Sequence, residues 1–142
     1  MSNFEFRHLQ EDELESMRAL TNYAFADNRP ADEAGPIPLK PAETLGAFLG
    51  DKLAACSGAF PFTVNMNGKK MAAQGITGVA TNPGFRRRGL VRGLITQWLA
   101  DGKDNGVPLA ILWASMGAIY QRFGYGLSTV NVAYKILSLI HI

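Results

Sequence analysis

The chain has 142 residues, 47% of them apolar and 18% charged, which suits one domain with a single core and excludes a disordered chain. A net charge of +2 gives no global case for nucleic acid or an anionic membrane as partner. One cysteine, Cys56 in an apolar stretch, excludes a disulfide framework and a cysteine zinc site and reads as a buried core thiol.

In chain order, Phe4, Phe6 and His8 alternate with Glu5 and Arg7 as in a first strand, and Asp12 to Phe25 carries apolar residues at helical spacing. Asp27 to Pro41 holds four prolines, a glycine and several acidic residues, so a mobile loop beside the site is expected. Strands Thr44 to Leu49 and Lys52 to Phe62 flank Gly50-Asp51, and strands Thr63 to Met66 and Lys69 to Ala73 flank Asn67-Gly68, two hairpin signals that predict an antiparallel meander. Gly75 to Thr81 is a further strand. Leu90, Val91, Leu94, Ile95, Trp98 and Leu99 share one face of a helix that fades at Gly102 to Gly106. Leu109 to Ala114 is an apolar run expected of a central strand. A short helix from Gly117 to Phe123 and a last strand from Val130 to Ile136 complete the order. Without a basic N-terminus followed by an apolar run, and with no run of about 18 apolar residues, a soluble cytoplasmic protein is expected.

The segment NPGFRRRGLVR, Asn82 to Arg92, stands where a strand gives way to a helix. A helix start carries partial positive charge and unpaired N–H groups, so Arg86, Arg87 and Arg88 work against local stability there. A negatively charged ligand held by those N–H groups and guanidinium groups is the simplest compensation. A solvated face or a weak RNA patch is the bland alternative. No Gly-Lys-Ser or Gly-Lys-Thr follows the glycine, which argues against a nucleoside-triphosphatase loop.

Strand, basic glycine turn, helix, strand and then a Tyr-x-x-x-Gly-aromatic segment form an order that resembles the GNAT acyl-CoA N-acyltransferases. Their pyrophosphate signature is met by Arg86 and Gly89, with Val91 replacing the small last residue. Within that group, GVATNPGFRRRGLVR and IYQRFGYG are similar to the enhanced intracellular survival (Eis) protein family, where a bulky aliphatic residue at that position is usual. The resemblance runs from about Thr44 to Thr129. It implies an α/β fold whose mixed, mainly antiparallel sheet is flanked by helices and splayed to admit the pantetheine arm. Acetyl-CoA is the implied cosubstrate, with no metal. By the same resemblance Val79, Ala80 and Thr81 present strand-edge groups to pantetheine. Arg87, Arg88, Gly89, Leu90, Val91 and Arg92 hold the pyrophosphate, where a Gly89 without a Cβ allows close approach.

Tyr120 occupies the position from which a phenol protonates the departing CoA thiolate in the resembled family; packing is the alternative for an aromatic among Ile119, Phe123 and Tyr125. Phe123, Gly124 and Tyr125 read as structural. Ser115 and Met116 match a cofactor-contacting pair, with Ser115 offering a polar contact and Met116, where relatives commonly have glutamate, only backbone. His8 and His141 fit no triad or metal spacing, and no base is assigned. In full-length Eis proteins a second GNAT-like region and a sterol-carrier-like domain follow, and the terminal carboxylate serves as the base.

Taken together, residues 1–135 read as one N-acetyltransferase domain and 136–142 (ending LSLIHI) as an apolar tail foreign to it, or else as an extension of the last strand. The expected acceptor is a small-molecule or peptide primary amine, either aminoglycoside-like or a lysine side chain. No nucleic acid or membrane partner is expected, and self-association is. The alternatives are a truncated, non-catalytic CoA-binding module and an RNA-binding domain that uses the arginine turn.

Overall fold

The computed structural model describes residues 3–27 and 37–129. Most of the loop after Asp27, the last predicted strand and the apolar tail lie outside those residues. Eight elements follow one another: β1 (Glu5–Arg7), α1 (Leu14–Phe25), β2 (Thr44–Leu49), β3 (Lys52–Met66), β4 (Lys69–Thr81), α2 (Leu90–Asp104), β5 (Leu109–Leu112) and α3 (Ala118–Gln121). The strands lie side by side in sequence order. β1 to β4 pair antiparallel, and β5 joins β4 in parallel through the α2 crossover. This is the mixed, mainly antiparallel sheet flanked by helices that the sequence predicts.

Asn67 and Gly68 both have positive φ, as a two-residue hairpin turn of this hand requires. Two predicted breaks are absent. β3 runs unbroken from Phe62 into Thr63, which pair with Ala73 and Ala72 of β4, and it carries Pro61 because its pairing with β2 ends at Gly58, so Pro61 owes no N–H to a second neighbour. β4 runs through the polar Gln74, whose buried side chain donates from Nε2 to the Trp98 carbonyl at 3.0 Å. Two further elements are shorter than predicted. Asp12 and Glu13 belong to a 3-10 turn ahead of α1, and the Leu109 run stops as strand at Leu112, pairing with β4 alone among the described residues.

Each face of the sheet carries one helix. Leu90, Leu94, Ile95 and Trp98 of α2 pack on Leu45, Ala47, Ala55, Ala59 and Ile76. On the opposite face Leu14 and Met17 of α1 meet Leu39, Phe48, Cys56 and Ala80. Trp98 Nε1 also donates to Ser57 Oγ at 3.0 Å, which ties α2 to β3. Arg7 grips Glu13 with two contacts of 2.7 Å, and its guanidinium lies 3.8 Å over the Phe48 ring, so β1 and the entry to α1 are fastened together.

Candidate active site

β4 and β5 part company halfway along β4. Their pairing covers Ala73 to Ile76 and Leu109 to Leu112, after which β4 continues to Thr81 without β5 beside it. The cause is a bulge on the other edge of β4. Cys56 lies opposite Ala80 and Gly58 opposite Thr77, so Ser57 of β3 faces both Gly78 and Val79. Gly78 has φ of +58°, a left-handed conformation that costs glycine little. The Cys56 thiol points at the Gly78 carbonyl at 3.8 Å, and burial pushes its pKa up to about 12, so it is a packing group rather than a nucleophile.

A cavity of about 690 Å³ fills the gap. Ile76 to Val79 form one wall; Leu112, Trp113, Ser115, Met116, Ile119 and Tyr120 form the other. The remaining wall comes from α1 and its neighbours, including Met17, Thr21, Phe25, Ile37 and Phe60. Trp113 is 79% exposed and Met116 65%, so the far wall is open and apolar.

At the end of β4 the chain turns through Pro83–Phe85, Asn82 Oδ1 accepting from Gly84 N at 3.1 Å. Arg86, Arg87 and Arg88 follow, all exposed, and Gly89 caps α2 at φ +79°. Only Arg92 of the four arginines sits inside the first helical turn. The electrostatic cost expected from a cluster within the helix start is thus smaller than the sequence suggested, because that effect fades within one turn. Strain appears elsewhere. Arg87 has φ of +62°, an uncommon conformation for a long side chain and of a kind that gathers at functional sites. Arg87 and Gly89 both have positive φ, so the backbone turns sharply just ahead of α2. Among the described residues no carboxylate lies within 4.0 Å of Arg86, Arg87, Arg88 or Arg92; Arg88 stands over the Phe85 ring at 5.4 Å.

Tyr120 is half-buried at the cavity wall, and burial raises its pKa, so it keeps its proton at neutral pH. The Tyr125 ring meets it edge-on with centroids 6.0 Å apart.

The predicted site residues do not all meet in one place, and Arg87 belongs to the turn just described. Val79, Ser115 and Tyr120 come together in the cavity. Arg88, Gly89, Leu90 and Arg92 border a shallower groove of about 570 Å³, shared with Phe4 and Phe6. Ala80 and Leu90 are buried core residues, and Val91 packs partly against the core, so Leu90 and Val91 can serve an anion only through backbone N–H groups. Among the described residues Thr81 Oγ1 is buried without a hydrogen-bond partner. A Cβ on Gly89 would meet no described residue within 4 Å, so within the chain itself it is positive φ that demands glycine there. Sequence reasoning overlooked Gly78 and the α1 wall. A glycine inside a strand pattern was the signal for the bulge. Nothing in α1 distinguished its cavity face from an ordinary core face.

The sequence profile of the acetyltransferase (GNAT) domain matches residues 5–128. An uncharacterized N-acetyltransferase of Streptomyces avermitilis is 41% identical over 87 residues, 61% of this chain and 21% of that protein. The N-acetyltransferase Eis of Mycobacterium tuberculosis is 47% identical over 55 residues, 39% of this chain and 14% of that protein. The crystal structure of Eis1 from Mycobacterium abscessus superposes with a TM-score of 0.79 at 29% identity, over 89% of this chain and 32% of that one. The chain therefore spans about a fifth of the length of the first of these relatives. With the profile covering most of its length, the chain belongs to the GNAT acetyltransferase domain family.

Proposed function

We propose that the chain is an Eis-type N-acetyltransferase domain that moves the acetyl group of acetyl-CoA directly to a primary amine. The observation that carries this reading is the parting of β4 from β5 at the Gly78 bulge, with the strained arginine turn at the end of the same strand. The pantetheine arm runs along Gly78 and Val79, with the strand-end groups of Ala80 and Thr81 beyond. The pyrophosphate rests on the N–H groups of residues 87 to 92 and the exposed guanidinium groups.

The amine nitrogen attacks the acetyl carbonyl carbon; the C–N bond forms, the C–S bond breaks, and the thiolate takes the Tyr120 proton. Water receives the proton shed by the amine and restores the one lost by Tyr120. The acceptor enters past α1. Asp27 and Arg18 are the charged residues among the described lining, and Phe25, Ile37, Phe60 and Trp113 supply apolar surface. That lining favours a lysine side chain, with one charge on an apolar stem, over an aminoglycoside-like polycation. The acetyltransferase unit extends over residues 1–135.

Calorimetry with acetyl-CoA tests the reading. Micromolar binding, about 8 kcal/mol, is expected. Binding of a short RNA together with failure to bind acetyl-CoA would overturn it in favour of a nucleic-acid site.

A further inference from the structure

Two cations from separate parts of the chain stand over the ring of Phe85. One is Arg88 of the arginine turn, its guanidinium 5.4 Å from the ring centre; the other is Lys52, its Nζ 5.6 Å away. The ring itself is fixed, partly buried against the α2 core cluster and met edge-on by Phe4 with centroids 6.0 Å apart. Lys52 opens β3, paired with Leu49 across the Gly50-Asp51 turn. Asn82 N donates to the Ala54 carbonyl at 2.9 Å, so the start of β3 and the arginine turn are tied together. Among the described residues no carboxylate lies within 4.0 Å of Lys52 or of the turn arginines. Like charges gathered at one ring repel, and an exposed ring attracts a cation far less than an anion does. Phe4 also borders the shallower groove that Arg88 and Arg92 line, so that groove opens next to the ring under Lys52.

We propose that Lys52 holds the 3′-phosphate of acetyl-CoA, with the adenosine in the groove between that phosphate and the pyrophosphate on the arginine turn. The inference rests on the reading of acetyl-CoA as cosubstrate. Coenzyme A carries a pyrophosphate and, on its ribose, a phosphate monoester, a group that bears a charge of about −1.5 to −2 near pH 7. The pyrophosphate occupies the arginine turn. Lys52 is the further cation, an ammonium on a flexible stem that meets a phosphate as a point charge. Its backbone is held by the pairing with Leu49, so only the side chain has to swing from the ring to the phosphate. Lys52 selects the nucleotide and takes no part in acetyl transfer.

The test is calorimetry with acetyl-CoA and with its 3′-dephospho analogue, on wild type, Lys52→Met and Lys52→Arg. Lys52→Met keeps the apolar stem and removes the charge; Lys103→Met, at the other end of α2, controls for the loss of one exposed cation. Wild type is expected to bind acetyl-CoA about tenfold more tightly than the analogue, as one charge-assisted contact implies. Lys52→Met should bind both ligands alike, at the wild-type affinity for the analogue, while Lys52→Arg and Lys103→Met keep the preference. Added salt should narrow the wild-type preference, and a preference indifferent to salt counts against an ammonium as its source. Equal affinity of wild type for the two ligands, or an undiminished preference in Lys52→Met, would overturn the proposal even though acetyl-CoA binds. Failure of wild type to bind acetyl-CoA at all would instead overturn the reading beneath it.

Discussion

Ile76 and Leu112 are the last paired residues of β4 and β5, and the two strands separate beyond them. The separation needs no inserted element. One extra residue in β4, opposite Ser57, bends the strand away, and Gly78 accepts the resulting backbone conformation. Trp98 holds the same Ser57 from the α2 side, so the bend is braced by the helix that also carries the arginine turn.

Gly78→Ala should therefore affect both fold and ligand. A Cβ at this position would lie 3.4 Å from Met17 Cε, so space is adequate and positive φ is the obstacle. A stability loss of about 1 kcal/mol is expected, with weaker acetyl-CoA binding as the bulge relaxes. Thermal melts and calorimetry check this, and unaltered values for both would show that the bulge does not depend on glycine.

The arginine turn separates stability from binding. Arg87→Gly relieves the left-handed strain and should stabilise the free protein by about 0.5 kcal/mol while weakening acetyl-CoA. Arg88→Glu should cost about 2 kcal/mol of binding through repulsion of the pyrophosphate, with the free protein nearly unchanged because Arg88 is exposed. Equal acetyl-CoA affinity in wild type and Arg88→Glu would remove the pyrophosphate from this turn.

Tyr120→Phe keeps the ring that packs on the α2 cluster and removes the proton donor. Acetyl transfer should drop by roughly 10²-fold with cofactor affinity nearly constant. Steady-state kinetics beside calorimetry separate the two quantities, and a rate equal to wild type would return Tyr120 to a packing role.

Among the described cavity residues Asp27 is the sole carboxylate, and no histidine lines the wall. Transfer to a lysine peptide should accordingly climb from pH 6 to 9 as the amine itself loses its proton, without a plateau near neutrality. Thiol release followed across that range decides the matter. A rate that levels off near pH 7 would reveal a base in the chain.

The Arg7–Glu13 pair makes a prediction about acid stability. The bidentate Arg7 contact holds the Glu13 carboxyl down from an ordinary 4.5 to about 2. A depressed carboxyl contributes stability that is complete above 4.5 and disappears as pH falls toward 2. Both side chains are partly exposed, so solvent screening limits the contribution to about 1 kcal/mol. Glu13→Gln should be less stable than wild type at pH 7 by about that amount, and the two should converge near pH 2 in denaturant titrations. A difference that persists at pH 2 would assign the effect to something other than the ion pair.

As far as the described residues reach, local pattern alone determined the order of elements, both hairpins, the α2 face and the arginine turn. Alternation, helical spacing and the glycine and asparagine turn residues act over a few neighbours and are written in the chain itself. What required the tertiary structure was every relationship across the sheet. Gln74 looks like a strand break until Trp98 is found above it, and Phe62 and Thr63 look like the ends of two strands until both are seen paired with one continuous β4. The left-handed Arg87 and the unpartnered Tyr125 hydroxyl have no sequence signature, since neither a backbone angle nor a missing partner belongs to a residue type. The cavity belongs to the same class. It exists because two strands diverge and a helix from the other face closes over them, and contacts between residues so far apart in the chain are set by the packing of the whole fold.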